Sequence, residues 1–185
     1  MINKFFSNVK NFFSKQYNIV MLGLDCSGKT TMLYQIKDLS QVMMTVPKIG
    51  FCLEILEFEN YKIHCFDING NENDSYKNYY WVPIYEKADA IIYVIDSNDI
   101  DRLYDANLEI DKLLLDQLLK NKPLLILANK QDLNGAINPD TLSEQFNLKN
   151  KITDRKWSLQ GISSKCNIGL KESFEWLNNC LSENK

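Results

Sequence analysis

Apolar residues recur over residues 1–15 at Ile2, Phe5, Phe6, Val9, Phe12 and Phe13. That spacing lays bulky groups along one stripe of a helix, with Lys4, Lys10 and Lys15 among the Asn and Ser of the other side. The pattern then shortens. Ile19-Val20-Met21-Leu22 is an unbroken apolar run and predicts a buried strand, and residues 31–36 read as a helix behind it. Residues 41–50, interrupted by Pro47 and Gly50, read as a loop. Residues 51–58 and 61–66 predict two strands whose connection near Asn60 is too short for a crossover helix, so they form an antiparallel hairpin. The polar, Asn- and Tyr-rich residues 71–80 read as a mobile loop. Beyond them come a buried strand at 90–95, an amphipathic helix at 102–120 whose leucine stripe is assigned to the core, and a strand at 123–128. A short helix at 139–146, a last strand at 157–160 and a closing helix at 170–181 complete the chain. Strands alternating with helices predict a doubly wound α/β domain. It holds a mostly parallel six-stranded sheet with one antiparallel edge strand and helices on both faces. The boundaries expected are 1–16 for the N-terminal amphipathic helix and 17–185 for the domain.

Composition changes this picture little. At 185 residues, 45% hydrophobic and 24% charged, the chain has the make-up of one globular domain. A net charge of −3 argues against a dedicated nucleic-acid binder, which carries a basic surface. The five cysteines include no C-x-x-C pair, so neither a disulfide framework nor a zinc site is suggested and a reducing cytosol fits. No apolar run approaches the ~20 residues of a membrane-spanning helix. The lone His64 alternates with apolar neighbours in a strand and reads as structural. The first fifteen residues are too polar for a secretory signal. They suit an interfacial helix with Phe5, Phe6, Phe12 and Phe13 among lipids and the lysines at headgroups, in preference to a helix packed on its own domain.

The chemistry begins between the first strand and the first helix. Gly23-Leu24-Asp25-Cys26-Ser27-Gly28-Lys29-Thr30 is a complete G-x-x-x-x-G-K-[ST] phosphate-binding loop in its required strand–loop–helix setting. The backbone N–H groups of Asp25, Cys26, Ser27 and Gly28 converge on a polyphosphate, Lys29 supplies charge to the β/γ-phosphates, and the Thr30 hydroxyl ligates Mg²⁺. Asp67-Ile68-Asn69-Gly70 ends the second hairpin strand at the carboxyl edge of the sheet, where ligands sit in open α/β folds. Asp67 there holds Mg²⁺ through water, and the Gly70 N–H reaches a γ-phosphate. Asn129-Lys130-Gln131-Asp132 follows the 123–128 strand. A carboxylate at Asp132 accepts both N1–H and the 2-amino group of guanine, an arrangement adenine does not offer. Asn129 can tie this loop to the phosphate loop, and the aliphatic stem of Lys130 can lie over the base.

Taken together, Gly23-Leu24-Asp25-x-x-Gly28-Lys29-Thr30-Thr31, Val46-Pro47-x-Ile49-Gly50-Phe51, Asp67-x-x-Gly70, Val94-x-Asp96-Ser97-Asn98-Asp99 and Asn129-Lys130-Gln131-Asp132 resemble the Arf and Arf-like small GTPases. The likeness runs from Tyr17 to the C-terminus and extends to the amphipathic N-terminal helix. It implies a small G domain of the P-loop NTPase class that binds GTP or GDP with Mg²⁺. It also implies hydrolysis, work in endomembrane traffic at the Golgi or a related compartment, and exchange-factor, activating-protein and effector partners. A monomer, cytoplasmic and peripherally attached to membrane, is expected. The resemblance adds Thr31 to the nucleotide contacts, with Ser163 and Ser164 in the loop whose backbone meets guanine.

Four positions depart from that family, the mildest being Asn69, which stands for a glycine and as asparagine tolerates positive φ. Lys48 stands where its members carry the switch I threonine that ligates Mg²⁺, and lysine has no acceptor to offer a metal. Asn71 stands for the glutamine that orients the attacking water beside Gly70, one methylene shorter. Ile2 replaces the glycine that myristoylation needs, so that lipid is excluded. Two readings follow: a slow GTPase switch, favoured by Lys29, Thr30, Asp67 and Gly70, and a non-hydrolysing nucleotide-bound scaffold, favoured by Lys48 and Asn71.

Overall fold

The computed structural model describes residues 17–37, 42–48, 51–58, 61–66 and 81–183. Seven strands, β1 (Tyr17–Leu22), β2 (Val42–Lys48), β3 (Phe51–Phe58), β4 (Tyr61–Phe66), β5 (Ala90–Asp96), β6 (Leu124–Asn129) and β7 (Trp157–Gly161), form one sheet in the order β2-β3-β4-β1-β5-β6-β7. From β4 to β7 every pairing is parallel, and β3 pairs antiparallel on both sides. The helices are α1 (Lys29–Lys37), α2 (Val82–Lys87), α3 (Leu103–Leu115), α4 (Pro139–Gln145), α5 (Leu148–Lys151) and α6 (Leu170–Glu183).

The central strands are apolar on both faces, as strands covered by helices on either side must be. Val20, Leu22, Ile91, Tyr93, Ile95, Leu124 and Ile126 enter one core with α2, α3, α4 and α5. Ile19, Met21, Ile92, Val94, Leu125 and Leu127 enter the other, beneath Met32, Leu33 and Ile36 of α1 and Phe174 and Leu177 of α6. Each such side chain contributes about 1.5–3 kcal/mol by leaving water, so the frame carrying the loops is stiff. The stripe expected to be core is core in α3 at Leu103, Ala106, Ile110 and Leu113, whereas Leu108 and Leu115 are exposed. Its helix is shorter than the 102–120 expected. Asp116 turns extended, and its side chain accepts from Leu118 N in a following 3₁₀ turn. The short helix α4 starts where the chemistry demands: Asn138 Oδ1 accepts from Thr141 N at 2.9 Å, with Pro139 in the first turn. His64 is buried in β4.

Two expectations are corrected. Residues 42–48, expected in a loop, are a strand instead: Val42–Lys48 is an edge strand paired with β3 along its whole length, ending at Lys48 opposite Phe51. The sheet therefore has seven strands, and the antiparallel strand β3 lies inside it between β2 and β4. Pro47 is compatible with this because an edge strand leaves one row of N–H groups unpaired, where proline loses nothing. The helices α2 and α5 were not anticipated, being too short to show a helical period. Trp81, just before α2, meets Tyr85 of that helix with ring centroids 5.9 Å apart and planes tilted by 40°, and Lys122 Nζ donates to the Tyr85 carbonyl at 2.5 Å near the helix end.

Candidate nucleotide site

The loops that follow β1, β5, β6 and β7 all leave the carboxyl edge of the sheet, and the parallel order brings them side by side. The loop after β1 is shaped by backbone constraints. Gly23 has φ +149° and Gly28 φ +97°; a Cβ on Gly23 would stand 2.3 Å from the Val94 carbonyl, and one on Gly28 2.2 Å from Asn129 Nδ2. Only glycine fits either place. Cys26 adopts φ +59° and is exposed, with Asp25 exposed before it and Ser27 buried after it. Lys29, 2% exposed, sends its ammonium into the loop, donating to the Gly23 carbonyl at 2.7 Å, the Leu24 carbonyl at 2.6 Å and Ser27 Oγ at 3.3 Å. Thr30 is half-buried in the first turn of α1, and Thr31 is exposed beside it.

The loops after β6 and β7 are shaped by side chains. Asn129, 1% exposed, donates from Nδ2 to the Ser27 carbonyl at 2.8 Å and accepts at Oδ1 from Ser164 N at 2.9 Å. One side chain thus holds the phosphate loop and the β7 loop together. Asp132 is exposed; its Oδ1 accepts from Ser163 Oγ at 2.6 Å, while Ser163 Oγ accepts from Cys166 N at 3.1 Å. The Ser163 hydroxyl, helped by nearby Lys165 and Lys130, holds the Asp132 carboxyl below the ordinary carboxylate range. Gln131 N donates to the Ile162 carbonyl and Ile162 N to the Ala128 carbonyl, which continues the sheet pairing into the loops. Lys130 takes a left-handed φ of +67°, and its ammonium reaches Asp96 Oδ2 at 2.5 Å. Its aliphatic stem therefore spans from the end of β6 to the end of β5.

Of the residues singled out from sequence, Asp25, Cys26, Ser27, Gly28, Lys29, Thr30 and Thr31 share the phosphate loop and the helix start. Asn129, Lys130, Asp132, Ser163 and Ser164 share the neighbouring pair of loops. Lys48 is the last residue of β2. Phe5, Phe6, Phe12, Phe13, Asp67, Gly70 and Asn71 lie outside the described residues, as does the 71–80 loop. Sequence reasoning assigned no role to Asp96, Asp99 and Arg102, which enter the site through side-chain bonds. Signals for them existed: Asp96 and Asp99 stand in the Val94-x-Asp96-Ser97-Asn98-Asp99 run quoted for the resemblance, and Arg102 is one of the chain's two arginines.

The cradle fits a polyphosphate. Its two glycines leave room for no side chain, and the ammonium it buries rests on neutral loop oxygens. An exposed carboxylate held ionised by a serine fits a base edge that offers two adjacent donors. Among the described residues no cluster of three or more His, Cys, Asp or Glu could hold a metal alone. Mg²⁺ commonly takes one or two protein oxygens and completes its shell with phosphates and water, which leaves Thr30 a sufficient first ligand. No helix among the described residues is long and apolar enough to cross a membrane.

Comparison with known proteins agrees in kind. The profile of the ADP-ribosylation factor family matches residues 2–181. The chain is 37% identical over 191 residues to ADP-ribosylation factor K of Dictyostelium discoideum, covering 98% of this chain and 99% of that protein. It is 38% identical over 180 residues to ADP-ribosylation factor J of the same organism, covering 96% and 93%. Against ADP-ribosylation factor-like protein 2 of Arabidopsis thaliana it is 36% identical over 163 residues, covering 88% and 86%.

Proposed function

Since this chain belongs to the ADP-ribosylation factor family, a family of GTP-binding, GTP-hydrolysing regulators of membrane traffic, we propose that it is a guanine-nucleotide switch with a site formed by two groups of residues. Asp25, Cys26, Ser27, Gly28, Lys29, Thr30 and Thr31 hold the phosphates, with Mg²⁺ on Thr30 and, through water, on Asp67. Asn129, Lys130, Asp132, Ser163 and Ser164 hold guanine. The observation that carries this reading is the Asn129 side chain, bonded at once to Ser27 of the phosphate loop and Ser164 of the base loop. A group that sets the spacing of two loops is expected where one ligand must touch both. When bound, Mg²⁺ supplies charge neutralisation to the phosphates; Lys29 adds a fixed positive charge, and Asp132 confers base identity.

Displacement of a fluorescent GDP tests this directly. GDP and GTP compete and excess ATP does not; an Asp132→Ala variant with unchanged GDP affinity would overturn the assignment.

The finer reading keeps the N-terminal helix of residues 1–16 as a reversible membrane contact and residues 17–185 as the G domain. One amphipathic anchor gives marginal binding. GTP-loaded full-length protein is expected to sediment weakly with liposomes, and equal sedimentation without residues 1–14 contradicts this. Hydrolysis is slow in this reading, because Asn71 shortens the water-orienting amide and Lys48 brings no metal ligand; an activating protein's arginine can restore roughly 10³–10⁵ in rate. The same two residues favour a second reading, a nucleotide-bound scaffold that does not hydrolyse. Single-turnover hydrolysis of labelled GTP with and without an activating protein separates them, and Lys48→Thr is expected to improve GTP over GDP discrimination with little change in GDP affinity.

A further inference from the structure

Asp25 presents a problem that the phosphate loop does not solve by itself. Its carboxylate is half exposed in a loop shaped to hold an anion, so it carries the wrong charge for the ligand. The counter-charge arrives from the 3₁₀ turn Ile100–Arg102 that follows β5. Arg102 Nη1 donates to Asp25 Oδ1 at 2.6 Å, and Nη2 approaches the Asp25 carbonyl at 3.4 Å. Arg102 is aimed by Asp99, whose Oδ2 accepts from Nε at 2.7 Å and pairs with Nη2 at 2.6 Å. Asp99 is placed in turn by its own N–H, which donates to the Asp96 carbonyl. The Asp96 carboxylate accepts from Asn98 N at 3.0 Å and from Lys130 Nζ. Asp25, Asp99 and Arg102 line a narrow cleft against Leu24, Leu103 and Ala106, so the guanidinium is backed by apolar side chains.

We infer that Arg102 is a positioning residue for nucleotide-state discrimination: it holds and neutralises the Asp25 carboxylate so that the phosphate loop accepts a third phosphate. The inference rests on the reading of this loop as a guanine-nucleotide site. The physics is differential. A free carboxylate at the loop repels any phosphate chain, but GTP carries more charge than GDP and carries it farther along the chain, so the triphosphate loses more. If Arg102 served packing alone, its loss would be small and equal for both nucleotides, because exposed ion pairs add little to stability.

Equilibrium affinities of the full chain for GDP and a non-hydrolysable GTP analogue, measured by displacement of fluorescent GDP, test this. Arg102→Gln is expected to lower the GTP-to-GDP affinity ratio about tenfold at low salt, the scale of one partly screened unit charge, with the effect shrinking as salt rises. The double variant Asp25→Asn with Arg102→Gln restores the ratio, since no charge then needs holding. Asp25→Asn alone, which does not depend on Arg102→Gln folding well, is expected to raise the GTP-to-GDP affinity ratio, because it removes the carboxylate while the backbone that meets the phosphates stays. Equal losses for both nucleotides in Arg102→Gln, no rescue by the double variant, or a selective loss of GTP in Asp25→Asn each overturns the inference. Failure of the unaltered protein to bind either nucleotide instead overturns the reading of the site on which it rests.

Discussion

The two halves of the candidate site solve the same problem, holding a loop in one shape, by opposite means. The phosphate loop is held by what is missing. Gly23 and Gly28 lack a Cβ where the Val94 carbonyl and the Asn129 amide press against them, and one buried lysine fills the centre. The base loops are held by what is present: Asn129, Asp132 and Ser163 each make side-chain bonds to residues distant in sequence. Backbone N–H groups and one cation recognise phosphate in any nucleotide. Oriented side chains recognise one base. In the proposed site affinity and identity are thus separable, and Asn129, bonded to both loops, is the point at which the halves depend on each other.

The largest expected effect follows from the first half. Lys29→Ala removes the central charge, and charged hydrogen bonds are worth about 1.5–3 kcal/mol each, so GDP and GTP affinity should both fall ~10²-fold or more. Residual binding should keep its preference for guanine over adenine. A changed base preference, measured by competition with ATP, would show that the halves are not separable.

Asn129→Ala strikes the connection itself. It leaves the buried Ser27 carbonyl and Ser164 N–H without the amide each uses, at about 1–3 kcal/mol per orphaned group. A stability loss of about 2–4 kcal/mol in urea unfolding is expected, together with faster GDP release. Faster release with unchanged stability would mean that the bond matters only once nucleotide is bound.

The smallest effect belongs to base identity alone. Ser163→Ala removes the main cause that holds the Asp132 carboxyl below its ordinary range and so keeps it ionised. The sign is that of a depressed carboxylate: its ionised form persists above the ordinary range near pH 4 and is lost only as pH falls through the depressed value. GDP binding by the native protein should therefore survive mild acid, and Ser163→Ala should begin to lose it at a higher pH, with a few-fold weakening at neutrality. The acid limit is read from GDP affinity against pH. An unmoved acid limit would place the binding carboxylate elsewhere.

Much of this was legible because the informative residues are contiguous. A loop built from Gly23 to Thr30 shows itself as a string, since backbone geometry depends on neighbours in the chain. Asn129 to Asp132 shows itself nearly as well, standing directly after a buried strand. The hairpin 51–58 and 61–66 falls on the residues expected because its turn is too short for any other connection. Residues 42–48 were misread because Pro47 and Gly50 signal a loop locally, whereas an open sheet edge accepts Val42-Met43-Met44-Thr45-Val46 as a strand despite the proline.

What the sequence determined by itself was the family and the local frame: a glycine-shaped loop after the first strand, the Asn129–Asp132 run proposed to meet guanine, and the alternation of strand and helix that puts both at one edge of a sheet. These depend on local backbone preference and on hydrophobic period, which neighbouring residues carry. Tertiary structure alone decided which side chains meet across the site. Ser163 with Asp132, Lys130 with Asp96 and Arg102 with Asp25 are paired over separations of 31, 34 and 77 residues. Such pairs leave no mark in any local pattern, because a hydrogen bond depends on atoms brought within about 3 Å, and only the packing of the parallel strands brings these loops that close.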